Sequence, residues 1–287
     1  MSNFSSLWLR IREPVDHEAR YDFSPDLFGD NMPHEEIVDL GCGTGSNFRY
    51  LAPRLGRGQN WLCVDHDSEL LEQLVPATAT ANAFSEITRN DGGFKFSGKN
   101  CDGSVQTLEL DLASKLATLA IGPDTLLTGS ALLDLVSRDW LQQLVTQCCS
   151  QHTPVLFALT YDGRIAMHPT HPDDEMIRQL VNSHQETDKG FGPALGPGAC
   201  AASKELFEAQ GYSVEMQDSD WQLLPQQASL QKALLNGWIE AALEVDHTRQ
   251  EALVRWSEQR LEEIGRQALH ITVGHKDFLA LPPRRHR

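Results

Sequence analysis

The sequence predicts an α/β fold, a doubly wound sheet in which parallel strands alternate with helices. Two observations predict it. From Glu36 onward short apolar runs alternate with helical patterns: IVDL, NFRYLAPRL, NWLCVD and SELLEQL, the rhythm of βαβ units. The first run, Ile37-Val38-Asp39-Leu40, also enters Gly41-Cys42-Gly43-Thr44-Gly45 and then a helix pattern at once, which is how such a sheet opens a ligand crevice.

The elements follow in order. Leu7 to Arg20 carries Leu7, Trp8, Ile11 and Val15 at near-helical spacing, an amphipathic helix packed on the main domain. Buried strands are expected at 37–40, 61–64, Val105 to Leu110, Thr125 to Thr128 and Val155 to Thr160, with a helix over Trp140 to Cys148 before the last. That makes five parallel strands. Phe84 to Gly103, with Asp91-Gly92-Gly93 and Asp102-Gly103 at its turns, reads as a peripheral loop or hairpin before the third strand. A helix is expected over Ala201 to Gln210, a strand over Ser213 to Asp218 and a final strand over Leu269 to Leu279. Residues 1–287 are expected to form a single domain: an N-terminal helical segment (1–35), a ligand-binding core (36–161) and two cover insertions (162–198 and 225–268).

Composition narrows the function classes. Forty per cent hydrophobic residues supply a core, and no run approaches the roughly 18 apolar residues of a membrane helix. The opening MSNFSSLWLRIREP lacks a long apolar stretch followed by a small-residue cleavage site, so no export signal is expected. Cys42, Cys63, Cys101, Cys148, Cys149 and Cys200 show no paired CxxC spacing, as suits reduced thiols in a cytoplasm. A formal charge of −16 argues against nucleic acid. Arg284, Arg285, His286 and Arg287 read as a solvated terminus. The expected partner is a small-molecule substrate, with neither nucleic acid nor membrane; the oligomeric state is left open.

The glycine turn is the centre of the functional argument. Glycines 41, 43 and 45 let a ligand approach the backbone at the end of the strand. A carboxylate at 39 would repel a phosphate but suits a ligand with an ammonium group. Ser46 stands where a dinucleotide fingerprint needs its third glycine, which disfavours a dehydrogenase. S-adenosyl-L-methionine, with an ammonium and a sulfonium but no phosphate, fits these features. About twenty residues on, Asp65 is placed to accept hydrogen bonds from ribose hydroxyls.

DLGCGTG, the strand end VDHD and the later strand end LELDL resemble motifs of the class I S-adenosylmethionine-dependent methyltransferases. The resemblance covers residues 37–161 well and the remainder more loosely. It implies a Rossmann-like sheet of seven strands, closed by GYSVEMQD and HITVGHKDFLAL as an antiparallel pair. It also implies that Asp39, Gly41, Cys42, Gly43, Thr44 and Gly45 line the methionine moiety, that Asp65 holds the ribose with His66 beside it, and that Asp111 faces the adenine amine with Leu112 next to it. Asp111 has a second reading as a helix N-cap, and Asp67 reads as a cap as well.

At the fourth strand end, Thr128-Gly129-Ser130-Ala131 stands in place of the Asp/Asn-Pro-Pro-Tyr/Phe motif found in methyltransferases of planar amines. This departure argues against adenine, cytosine or glutamine amide as acceptor. Leu132-Leu133-Asp134-Leu135-Val136 resembles the segment that follows in many small-molecule methyltransferases, making Asp134 a candidate facing the cleft. Further candidate bases are Tyr161, His168, His171, His184, Asp188 and Lys189. The two histidines of His168-Pro169-Thr170-His171 have no adjoining ligand pattern of zinc-site type, so no metal is expected. Prolines 193 and 197 remove donors that a second phosphate loop would need, so Gly190 to Gly198 reads as a mobile cover. Arg12 is the candidate partner for the cofactor carboxylate; its alternative is an exposed pair with Glu13 or Asp16. The expected activity is methyl transfer to oxygen, nitrogen or carbon of a small molecule. A regulatory module that binds the cofactor without turnover is the alternative.

Overall fold

The computed structural model describes residues 5–23 and 35–283; the basic cluster 284–287 lies outside them. Helix α1 (Ser6–Ala19) begins at Ser5, whose side chain accepts the Trp8 amide, as an N-cap does. Then come β1 (Glu36–Leu40), α2 (Ser46–Leu55), β2 (Gln59–Asp65), α3 (Ser68–Ala79), β3 (Phe84–Asn90), β4 (Gly93–Gly98), β5 (Asp102–Glu109), α4 (Leu112–Lys115), β6 (Thr125–Ser130) and α5 (Arg138–Gln151). The remainder is β7 (Val155–His168), α6 (Asp174–Gln185), α7 (Ala199–Ala209), β8 (Ser213–Asp218), β9 (Trp221–Leu223), α8 (Ala228–Val245), α9 (Gln250–Gly265) and β10 (His270–Leu281).

The sheet has ten strands in the order β3-β4-β5-β2-β1-β6-β7-β10-β8, with β9 paired to β10. Five of them, β5-β2-β1-β6-β7, are mutually parallel, and their order is that of a doubly wound Rossmann-like sheet. The order reverses at β1, flanked by β2 and β6, so the crevice opens beyond the carboxyl ends of these strands. The expected closing pair is present: β10 runs antiparallel between β7 and β8.

Three strands exceed the expected seven. Two are the 84–103 insertion, which is a hairpin of β3 and β4 that pairs onto β5. It is not peripheral to the core. Phe84, Phe94 and Phe96 pack around Phe48, itself in contact with Trp61, so the hairpin supplies the aromatic filling of one sheet face. The third is β9, three residues against Ile271, Thr272 and Val273.

The first cover insertion also begins later than the sequence suggests. Residues 162–168 continue β7, paired with β10 as far as His168 opposite His270. Ile165 and Met167 alternate inward to the second hydrophobic cluster, which includes Ile177, Trp221, Leu235 and Trp256; this period-2 pattern is a strand's. Helices α6, α8 and α9 pack there together with Val15 of α1, so the N-terminal helix and the cover share one core. At its base Arg260 is completely buried. It donates to Asp174, Glu263 and the Pro169 carbonyl, which satisfies a charge that would otherwise be costly there. No helix among the described residues is long and apolar enough to cross a membrane.

Candidate active site

A cleft of about 1120 Å³, open mouth included, lies at the carboxyl ends of β1, β2 and β6. Gly41, Cys42, Gly43 and Thr44 line it, as do Asp65, His66, Asp111, Leu112 and Arg12. Nine of the eleven cofactor candidates thus meet at one place.

The turn is built by backbone geometry. Gly41, Gly43 and Gly45 all have positive φ (63°, 53° and 85°), a region costly for residues with a Cβ. A Cβ on Gly45 would lie 2.8 Å from Leu74 Cγ, and one on Gly43 would lie 3.1 Å from Leu9 Cδ1. Three amides of the turn are spent within the protein. Cys42 donates to the Val64 carbonyl at 3.0 Å and Gly45 to the Cys42 carbonyl at 2.8 Å, while Gly43 donates to Asp65 Oδ2 at 2.7 Å. A phosphate cradle needs such amides free and aimed at the ligand. This turn offers contact surface instead.

Asp65 also accepts the Asp67 amide on Oδ1 at 3.0 Å and lies 3.3 Å from His66 Nδ1. A carboxylate offers about four lone-pair sites, so acceptor capacity remains toward the cleft. Asp111 lines the cleft while capping α4: it accepts the Ala113 amide at 3.0 Å and the Ser114 hydroxyl at 2.7 Å. The Ser114 hydroxyl, foremost, holds its carboxyl below the usual range. Asp67 caps α3 through the Glu69 and Leu70 amides.

Asp39 and Gly45 sit behind the cleft wall and do not line it. Asp39 is fully buried; its Oδ1 accepts from Asn47 Nδ2 at 2.7 Å, and Oδ2 has no partner. Desolvation pushes its carboxyl up to about 7, against the lowering influence of Asn47 and Arg20. Asn47, which does line the cleft, is held in turn by Arg20 at 2.9 Å.

Helix α1 closes over the turn. Arg49 donates to both carboxylate oxygens of Glu13 at 2.7 and 2.6 Å, and to the Thr44 carbonyl at 2.5 Å; His17 Nε2 meets the Ser46 hydroxyl at 3.1 Å. Arg12 is not in an exposed ion pair. Its Nε donates to Asp16 Oδ2 at 2.8 Å with both side chains largely buried, and its guanidinium lies over Trp221, 5.1 Å from the ring centroid. Asp16 accepts the Trp221 indole N–H at 3.0 Å. Burial raises its carboxyl more than Arg12 lowers it.

The catalytic candidates disperse. His168 is exposed beside His270. His171 caps its own turn, Nδ1 accepting the Asp173 amide at 3.0 Å. His184 meets Glu244 of α8 at 3.0 Å. Tyr161 donates to Asn182 at 2.6 Å. Their spacing placed them after the fifth strand, but the extension of β7 and the packing of α6 on α8 turn them to local partners. Asp134 is buried just behind Leu132 and Leu135, with Oδ1 unpartnered, and desolvation pushes its carboxyl up to about 6. Of the insertion's candidates, Lys189 alone lines the cleft.

Sequence reasoning missed Leu9, Asp16, Asn47, Leu135 and Phe191 as cleft residues. Ala131, also in the lining, has φ 53°, strain of a kind that gathers at functional sites. Asp162, Asp218 and Asp220 converge within 4.8 Å, but Arg164 pairs with all three.

No protein-family model and no curated protein matches this chain. Among solved structures, a cyclopropane synthase from Mycobacterium tuberculosis is 10% identical, with 96% of this chain and 94% of that chain covered and a TM-score of 0.46. A cyclopropane-fatty-acyl-phospholipid synthase-like protein from Lactobacillus casei is 12% identical, covering 98% and 95%, with a TM-score of 0.46. Phosphoethanolamine N-methyltransferase 2 from Haemonchus contortus, in complex with S-adenosyl-L-methionine, is 15% identical, covering 91% and 51%, with a TM-score of 0.40.

Proposed function

We propose that this chain transfers a methyl group from S-adenosylmethionine to a small-molecule acceptor. The observation that carries the reading is the contact of Asp65 with the Gly43 amide. A carboxylate occupies the position a nucleotide phosphate would claim, at the end of a strand where a nucleoside's ribose docks.

The residues present fit such a cofactor. Gly41 and Gly43 leave room for close approach, and Asp65 keeps lone pairs for ribose hydroxyls. The carboxylates of Asp16, Asp65, Asp67 and Asp111 outnumber the cations Arg12 and Lys189 in the lining, which favours a ligand with net positive charge. The unpartnered Oδ2 of Asp39, behind the wall, adds negative potential whenever that group is ionised. A cation bound above it favours the ionised form.

The cofactor supplies a methyl carbon on a positively charged sulfur, open to in-line attack. The protein's part is alignment and exclusion of water. Leu9, Leu132, Leu135 and Phe191 provide apolar walls. The contacts of Arg12 with Asp16 and Trp221 and its position in the lining support a role in pairing with the cofactor carboxylate. When an acceptor hydroxyl or ammonium must lose a proton, Asp16 and Lys189 are cleft groups with shifted affinities: burial raises the first and lowers the second.

Calorimetric titration with S-adenosylmethionine, beside an NAD control, tests the reading. Micromolar-range binding, equivalent to about −8 kcal/mol, is expected for the former alone. A folded sample that binds NAD and not S-adenosylmethionine sinks it. Release of S-adenosylhomocysteine in the presence of an acceptor panel then separates an enzyme from a module that binds without turnover.

A further inference from the structure

We propose that the acceptor is an anionic small molecule, carrying a carboxylate or phosphate that pairs with Lys189 while its apolar body lies against Phe191. The inference rests on the methyl-transfer reading and assigns the substrate class of the same cleft.

Lys189 and Phe191 belong to a folded turn. Asp188 Oδ1 accepts the amides of Gly190 at 2.7 Å and Gly192 at 3.0 Å; short bridges join Asp188 to Pro193 and Ser137 to Ala194. Phe191 packs edge-on against Trp140, with centroids 5.5 Å apart, and the Trp140 indole donates to the Leu112 carbonyl at 2.7 Å. Asp188 thus shapes the turn that carries Lys189 and Phe191 to the cleft wall.

The Lys189 ammonium has three donors. One meets Thr187 Oγ1 at 2.9 Å, and the ammonium rests against the His184 ring, 3.3 Å from Nδ1 and 3.4 Å from Nε2. His184 Nε2 in turn faces Glu244 at 3.0 Å. Lys189 also lines the cleft, and its donors beyond the Thr187 contact are open to a ligand. Among the described residues no carboxylate lies within ion-pair distance of this ammonium, whereas Arg12, the other cation of the lining, is paired with Asp16. Glu244 acts on this ammonium from beyond ion-pair distance, so Lys189 remains available to pair with an anion in the cleft. Burial lowers its proton affinity in the free protein, and an anion would restore it.

The two cations divide the ligands. Arg12 is on α1, the helix whose Leu9 and Glu13 reach the glycine turn through Gly43 and Arg49, and so stands with the cofactor's methionine end. Lys189 comes from the cover and is left for the second substrate.

The test titrates protein saturated with S-adenosylhomocysteine with benzoate, phenyl phosphate and the neutral isostere benzamide, followed by ligand-observed NMR. The anions are expected to bind and benzamide not to bind in the same range. Lys189→Met should weaken anion binding roughly tenfold or more, and Lys189→Arg should restore part of it. Preference between the two anions identifies the charged group. Equal binding of benzamide, no anion binding, equal affinities in wild type and K189M, or a loss in K189M of S-adenosylhomocysteine affinity instead would each overturn the assignment. Failure of S-adenosylhomocysteine to bind wild-type protein would sink the methyl-transfer reading, and this inference with it.

Discussion

Asp65, the last residue of β2, accepts the Gly43 amide at 2.7 Å across 22 positions of sequence, so the glycine turn and the candidate ribose carboxylate form one unit. Replacing Asp65 with Ala removes the acceptor of a buried amide. We expect a stability loss of about 2 kcal/mol by urea denaturation and at least a tenfold weaker S-adenosylmethionine affinity by calorimetry. Unchanged affinity in a folded variant would refute the ribose role.

Arg49 holds α1 on the turn through Glu13 and the Thr44 carbonyl. Arg49→Met leaves the partly buried Glu13 with only His17, at 3.8 Å, beside it, and the loss is expected to be about 3 kcal/mol. Limited proteolysis should cut within residues 6–19 sooner in the variant, with weaker cofactor binding. Protection of α1 equal to wild type would show that its apolar packing suffices.

Asp39 makes stability depend on pH with a definite sign. Its folded carboxyl holds a proton up to about 7, against 3.8 ordinarily, so between these values the unfolded chain releases a proton that the folded one keeps. Its contribution is fully present below pH 3.8 and is lost as pH rises through about 7. Asp39→Asn should therefore gain on wild type in urea midpoint between pH 5 and pH 8. A constant difference across that range would mean that Asp39 is ionised throughout.

His275 acts with the opposite dependence. Burial between Tyr161 and Trp221 depresses its proton affinity to about 3, from 6.5. Its contribution is present above pH 6.5 and lost progressively as pH falls toward 3. His275→Phe should lose less stability than wild type between pH 7 and pH 5, read from thermal midpoints; parallel curves would contradict the assigned burial.

The sequence by itself determined the parallel five-strand core and the glycine turn, because period-2 apolar runs and consecutive glycines are local signals. The placement of Asp65 at a strand end follows from the same local pattern. Tertiary structure alone decided the rest. An apolar pattern shows that a face is buried but not what buries it, so nothing local announces that Phe84, Phe94 and Phe96 complete a core around Phe48, or that Leu9 of α1 lands on Gly43. Histidine spacing likewise carries no direction. The continuation of β7 to His168 and the packing of α6 on α8 send His184 to Glu244 and leave Lys189 in the cleft. Asp39 reads as a ligand contact in the chain, yet its strand is flanked by β2 and β6, and that burial places its carboxylate behind the wall.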